Sequence, residues 1–219
     1  MFKILLVLCC MVWAVGCVPE KPQKKADSAP NEQKMNERPM GDRQMGDRPA
    51  NPHETSGPGL DVNSLMADLP AGWSKTQPSS NMRLAQAALA RSEGDNADGE
   101  LAVFHFPGTG GSAMANLERW QGQMKGPHGE PGASVAKTDT MRLDNGILVI
   151  TTDISGTLLP STMGAGPSTE QANYRMIASV LETPAGNFFL KLTGPQKTIA
   201  ANTDKYRAFI KRAKLGGDA

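Results

Sequence analysis

"SVAKTDTMRLDNGILVITTDISGTLL", residues 134–159, decides the fold. Two runs rich in apolar and β-branched residues, 134–143 and 146–159, flank Asp144-Asn145-Gly146. Asn-Gly tolerates the positive φ that a tight hairpin turn demands, which makes it the strongest short hairpin signal. Strands joined this way run antiparallel. A second pair, 173–182 and 187–194, meets at Thr183-Pro184-Ala185-Gly186 and repeats the pattern.

Working outward, "GWSKT" (72–76) and "MRLAQAAL" (82–89) read as short strands, and "SEGDNADG" (92–99) as a turn. In "ELAVFHF" (100–106), Leu101, Val103 and His105 point one way and Ala102, Phe104 and Phe106 the other. Both sets are mostly apolar, so this strand is expected to be covered on both faces. Asp61 or Asn63 can cap a short helix, "SLMADL", ended by Pro70. Ser112 can cap a helix over 113–124, where Ala113, Leu117, Trp120 and Met124 share one apolar face. Thr198 can cap a final helix that gathers Ile199, Tyr206, Ile210 and Ala213. Hairpins plus helices with single apolar faces predict an α+β domain over 60–219, a mainly antiparallel sheet flanked by helices. A domain of this size buries enough surface to fold without metal or disulfide.

The N-terminal part is different material. Ile4 to Val15 is an unbroken apolar run behind Lys3. It is shorter than the ~20 residues a spanning helix needs and has the length of a signal-peptide core. Residues 1–16 therefore read as a leader. Ala14-Val15-Gly16-Cys17 resembles the bacterial lipobox, which implies Cys17 as the lipid attachment point. Ala14 stands where the usual lipobox has Leu, and Ala14 with Gly16 also fits an ordinary secretory cleavage site. Cys9 and Cys10 would leave with the leader, and acylation would consume Cys17, so the mature domain would hold no thiol. Two acyl chains of about fifteen methylenes, at ~0.8 kcal/mol each, give anchoring on the order of 20 kcal/mol. Val18 rather than Asp follows the cysteine, which resembles outer-membrane sorting in a Gram-negative cell.

Residues 17–59 read as a disordered tether. The segment interleaves seven basic with seven acidic residues and repeats Met-Gly-Asp-Arg at 40–43 and 45–48. It lacks the apolar surface to offset chain entropy. Its mean reach is about 35 Å. The repeat reads as slippage in an unconstrained linker, or as a docking motif. Removing Lys3 with the leader leaves 22 basic and 22 acidic residues, so no global field would draw nucleic acid.

"GW…QPSSNMRLAQ", "GGSAMANLERWQGQ" and "NFFLKLTGPQKT" before a terminal helix resemble a set of uncharacterised bacterial envelope lipoproteins, over about residues 70–214. The resemblance implies a PsbP-like α/β/α sandwich. That superfamily includes assembly factors and binding proteins and has no shared catalytic signature, so no site residue is implied.

The chemistry-bearing residues are sparse. "GTGGS" (108–112) opens a helix, but no Lys-Ser or Lys-Thr follows and the spacing is not Gly-x-Gly-x-x-Gly, so it reads as a strand-to-helix turn. His53, His105 and His128 show no metal-ligand spacing, and His105 reads as structural. Glu100, Asp139, Asp144 and Asp153 read as turn or sheet-surface carboxylates, and no Gly-x-Ser-x-Gly elbow is present. Trp73 and Trp120 read as core anchors. The last helix is basic, with Lys197, Lys205, Arg207, Lys211, Arg212 and Lys214, a solvated face that could also touch lipid headgroups. The expectation is a non-enzymatic, lipid-anchored envelope protein without cofactor or metal. Its domain would bind or scaffold an envelope protein partner. Alternatives are a carrier of an apolar small molecule or lipid, with a cleft near 160–169 and the Trp120 helix, or an unrecognised hydrolase.

Overall fold

The computed structural model describes residues 57–106, 112–160 and 167–216. The expected leader, Cys17, the tether up to residue 56 and the GTGG loop lie outside them, as does most of the 160–169 connection.

Residues 137–158 form the predicted hairpin. Strands β5 (Lys137–Arg142) and β6 (Leu148–Leu158) pair antiparallel, with Met141 opposite Val149. Gly146 takes φ +87° in the turn. The Asn145 carboxamide oxygen accepts from the Ile147 amide at 3.3 Å, and its nitrogen donates to the Ala213 carbonyl at 2.7 Å. One side chain thus shapes the turn and ties it to the end of the chain. The second hairpin joins β7 (Gln171–Thr183) to β8 (Gly186–Pro195), with Thr183 opposite Gly186.

With β1 (Trp73–Thr76), β2 (Arg83–Leu89), β3 (Gly99–His105) and the two-residue β4 (Met124–Lys125), these make one eight-stranded sheet. Its order is β1-β2-β3-β8-β7-β6-β4, with β5 on the outer edge of β6 beside β4, and every pairing is antiparallel. The molecule is an antiparallel sheet flanked by helices.

Each face has its own core. Helix α4 (Gln196–Lys211) packs Ile199, Tyr206, Phe209 and Ile210 on Leu101, Val103, Ile177, Leu181, Leu190 and Leu192. Helix α2 (Ala113–Gln121) packs Ala113, Leu117 and Trp120 on Ile154, Met176, Ala178, Val180 and Phe189. Strand β3 buries Leu101 and Val103 in the α4 core; on its other face Phe104 packs at the margin of the α2 core and Glu100 is partly exposed, so the two-sided cover that its apolar parity predicts is only partial. Short helix α1 (Val62–Ala67) is capped by Asp61, which accepts from the Ser64 amide at 2.9 Å. Among the described residues no helix is long and apolar enough to cross a membrane.

Helix α1 lies two residues earlier than expected, and three further features differ from the sequence reading. Helix α2 ends at Gln121, and Met124 joins the same core from β4, opposite Leu158. Ser134 and Val135 belong to α3 (Gly132–Val135), so β5 begins three residues later than expected. Thr198 is not the cap of α4. It lies in the first turn, where its own amide and hydroxyl donate to the Asp95 carboxylate at 2.8 and 2.6 Å. A side chain about a hundred residues away therefore does the capping, which local sequence does not show.

Candidate binding site

Helix α2 covers the β6–β7 part of its sheet face. Over β1, β2, β3 and β8 the outward positions turn polar. In register these are Thr76, Gln86, Ala102 and Lys191, with Glu100 beside Thr193 one step along and Arg83 beside Phe104 on the other side. Strand alternation aims all of them to one face.

The Arg83 side chain is only 7% exposed and meets the Glu100 carboxylate at 2.8 Å. Gln86 joins them: its oxygen accepts from Arg83 Nη1 at 2.8 Å and its nitrogen donates to Glu100 at 2.9 Å. The Arg83 guanidinium lies 5.9 Å from the Phe104 ring centre. Lys191 reaches up from β8. Its ammonium donates to Gln123 Oε1 at 2.5 Å and sits 6.0 Å from the Trp120 ring centre. Desolvation, with smaller contributions from the nearby Arg83 and Arg119 cations, lowers its pKa to about 8, and Glu100 pulls the other way. Arg119 on α2 is exposed and bonded to Asn116 Oδ1 at 2.6 Å.

Three cations thus face one carboxylate. Among the described residues, four buried polar atoms have no hydrogen-bond partner: Thr76 Oγ1, Ser80 Oγ, Arg83 Nε and Thr193 Oγ1. All four belong to this patch or to the β1–β2 turn at its edge, where the Ser79 amide bonds Gln86. A buried polar group without a partner costs about 1–3 kcal/mol. Each of these groups calls for a partner that the protein itself does not supply, such as an ordered water or a bound group. Met82 and Leu84, the sequence neighbours of Arg83, are each 50% exposed. The arrangement suits an anionic group presented by a larger surface.

The residues singled out from sequence fall elsewhere or serve the fold. His105 Nε2 lies 3.2 Å from the Ala185 carbonyl, and its ring stacks on Phe188 at 4.1 Å, a structural placement. Trp73 donates to Asn202 at 2.8 Å and packs on Phe209; Trp120 packs against Phe104 and Phe189. Both tryptophans are core anchors. Asp153 is paired with Arg175 through both carboxylate oxygens, at 2.8 and 2.6 Å. Asp139 accepts from the Thr140 amide, and Asp144 sits at the hairpin turn. Asp139 and Asp153 come onto one face of β5–β6 at diagonal positions of the ladder. Of the four carboxylates only Glu100 enters the patch. No group of three or more metal-ligating side chains gathers among the described residues.

Sequence reasoning missed Arg83, Lys191, Gln86 and Thr193. A signal exists in hindsight: Lys191 interrupts "FFL-L", a basic residue inside an apolar strand of a central hairpin. Such a residue needs partners on neighbouring strands, and those depend on long-range register.

No protein-family model matches the chain, and no curated protein matches it. Among solved structures, it is similar to a Pseudomonas aeruginosa protein of unknown function described as a candidate regulator. That match has 8% identity, a TM-score of 0.42, and covers 68% of this chain and 100% of the other. It is also similar to a cyanobacterial PsbP from Synechocystis, with 9% identity and a TM-score of 0.39, over 67% of this chain and 84% of the other. At these identities no residue role passes from either chain to this one.

Proposed function

We propose that this chain is a lipid-anchored envelope protein whose domain is a non-catalytic binding module, and that the Arg83–Lys191 patch is its binding face. The observation that carries the binding role is the set of four unpartnered buried polar atoms around clustered cations. Lone buried cations are costly unless met by an anion. Here Glu100 answers only part of the charge, which leaves room for an acidic group from an envelope partner. The anchor rests on the lipobox-like boundary at Cys17 and the apolar run before it.

The test is a photo-crosslinking amino acid at Leu84, with the same residue at Lys137 on the far edge of the sheet as control. In the host's own envelope, Leu84 is expected to give one discrete protein adduct and Lys137 none. Arg119→Glu, at an exposed position, should abolish the adduct. Identical products from both positions, or none from Leu84, would refute the binding face.

A further inference from the structure

A second charged feature lies at the pole of the domain where the described chain begins. Gly57 packs against Pro184 in the β7–β8 turn, Gly59 accepts from the Gly216 amide at 2.8 Å, and Leu60 bridges Leu215. The first described residues are thus fastened to the segment that follows α4 and to the β7–β8 turn. The same pole holds a groove of ≈ 720 Å³ between the β5–β6 turn and the end of α4. Its charged lining is Arg142, Lys211, Arg212 and Lys214 against Asp144 alone.

Two of these cations have structural duties: Arg142 donates to the Gly146 carbonyl at 2.8 Å and Arg212 to the Asp68 carbonyl at 2.6 Å. Lys211 and Lys214 are exposed, without an ion-pair partner among the described residues. Nearby acids are few. Asp61 is occupied by its cap and Asp68 is exposed. Positive charge here also lies at the negative end of the α4 dipole, which steadies it without neutralising it.

We infer that this pole is the membrane-facing surface of the domain, and that Lys211 and Lys214 dock on anionic phospholipid headgroups. Fifty-six residues precede the described chain, whose first residues lie at this pole. If that segment is held at a bilayer, this pole is the one delivered to it at high effective concentration. Basic side chains within a Debye length of an anionic leaflet are attracted to it. The opposite pole is a built-in reference. Lys197, in the first turn of α4, is exposed and lies about 20 Å away along the helix axis. The patch around Arg83 and Lys191 would stay open to a protein partner.

The inference rests on the chain being held through its N-terminal segment, so the test supplies that tethering chemically. The full chain carrying Cys9→Ser and Cys10→Ser keeps Cys17 as its one thiol. Coupled to a maleimide lipid, it sits on vesicles whether or not a cell acylates it. Amine acetylation read by mass spectrometry then compares Lys211 and Lys214 with Lys197. On phosphatidylglycerol-containing vesicles, labelling of Lys211 and Lys214 relative to Lys197 is expected to fall roughly threefold or more, and the protection should fade at high salt. Labelling ratios equal to those of the free chain would overturn the inference. Equal protection on pure phosphatidylcholine would overturn it too, since charge would then play no part. Failure of acylation in the cell would be a failure of the anchor alone.

Discussion

Lys191 shows how the patch is held in readiness. Its ammonium is largely removed from water and held by one neutral acceptor and an aromatic face. The unfolded amine titrates near its ordinary 10.5 and the folded one near 8. Below about pH 8 both states are protonated, so the full cost of burying the charge is present. Between those two values the unfolded chain holds the extra proton, and stability rises with pH. A gain on the order of 2 kcal/mol is expected across that window. It should vanish in Lys191→Met, as urea unfolding at about pH 7.5 and 10 would show. A wild type and variant with parallel pH profiles would contradict the buried cation. Tyr206 behaves oppositely. Its hydroxyl donates to the Leu190 carbonyl and accepts from the Ser179 hydroxyl, both at 3.1 Å, and burial pushes its pKa well up. Tyr206→Phe leaves the packing and removes both bonds, so a loss of about 1–2 kcal/mol is expected in the same assay.

Among the elements, β4 depends on a close approach. Gly156 has φ +150°, and a Cβ there would lie 2.0 Å from the Lys125 carbonyl oxygen. Both the backbone conformation and the space exclude a side chain. Gly156→Ala should therefore displace β4, loosen Met124 from the α2 core and cost about 3 kcal/mol. A change under about 0.5 kcal/mol in the urea midpoint would contradict this packing. Helix α4 depends on a distant cap instead, so Asp95→Ala should lower stability by about 1 kcal/mol, while Asp98→Ala, in the same turn, should have a smaller effect. These two cases mark what the sequence discloses. The hairpins, the α4-facing side of β3 and the apolar stripe through Leu117 and Trp120 follow from local periodicity, and all were legible. The end of α2, the start of β5 and the capping of Thr198 depend on partners from other strands and loops. So does the patch: Arg83, Gln86, Glu100 and Lys191 come from three strands and meet only through register.

At the scale of the whole molecule, the described body has two cores on one sheet, a polar half-face and a basic pole. The composition already points to a compact domain behind a polar segment, and the structure adds that the described chain begins at the pole holding the end of α4. The half-face and the pole are separate surfaces, so the domain could be held by one and bind with the other. That arrangement has meaning only if the chain is held at a bilayer. The most direct measurement is the intact mass of the native protein extracted from its membranes. The account predicts a chain beginning at Cys17 and carrying the added mass of a diacylglyceryl group. A chain found in the aqueous fraction with an unmodified Cys17, or with residues before it retained, would contradict it.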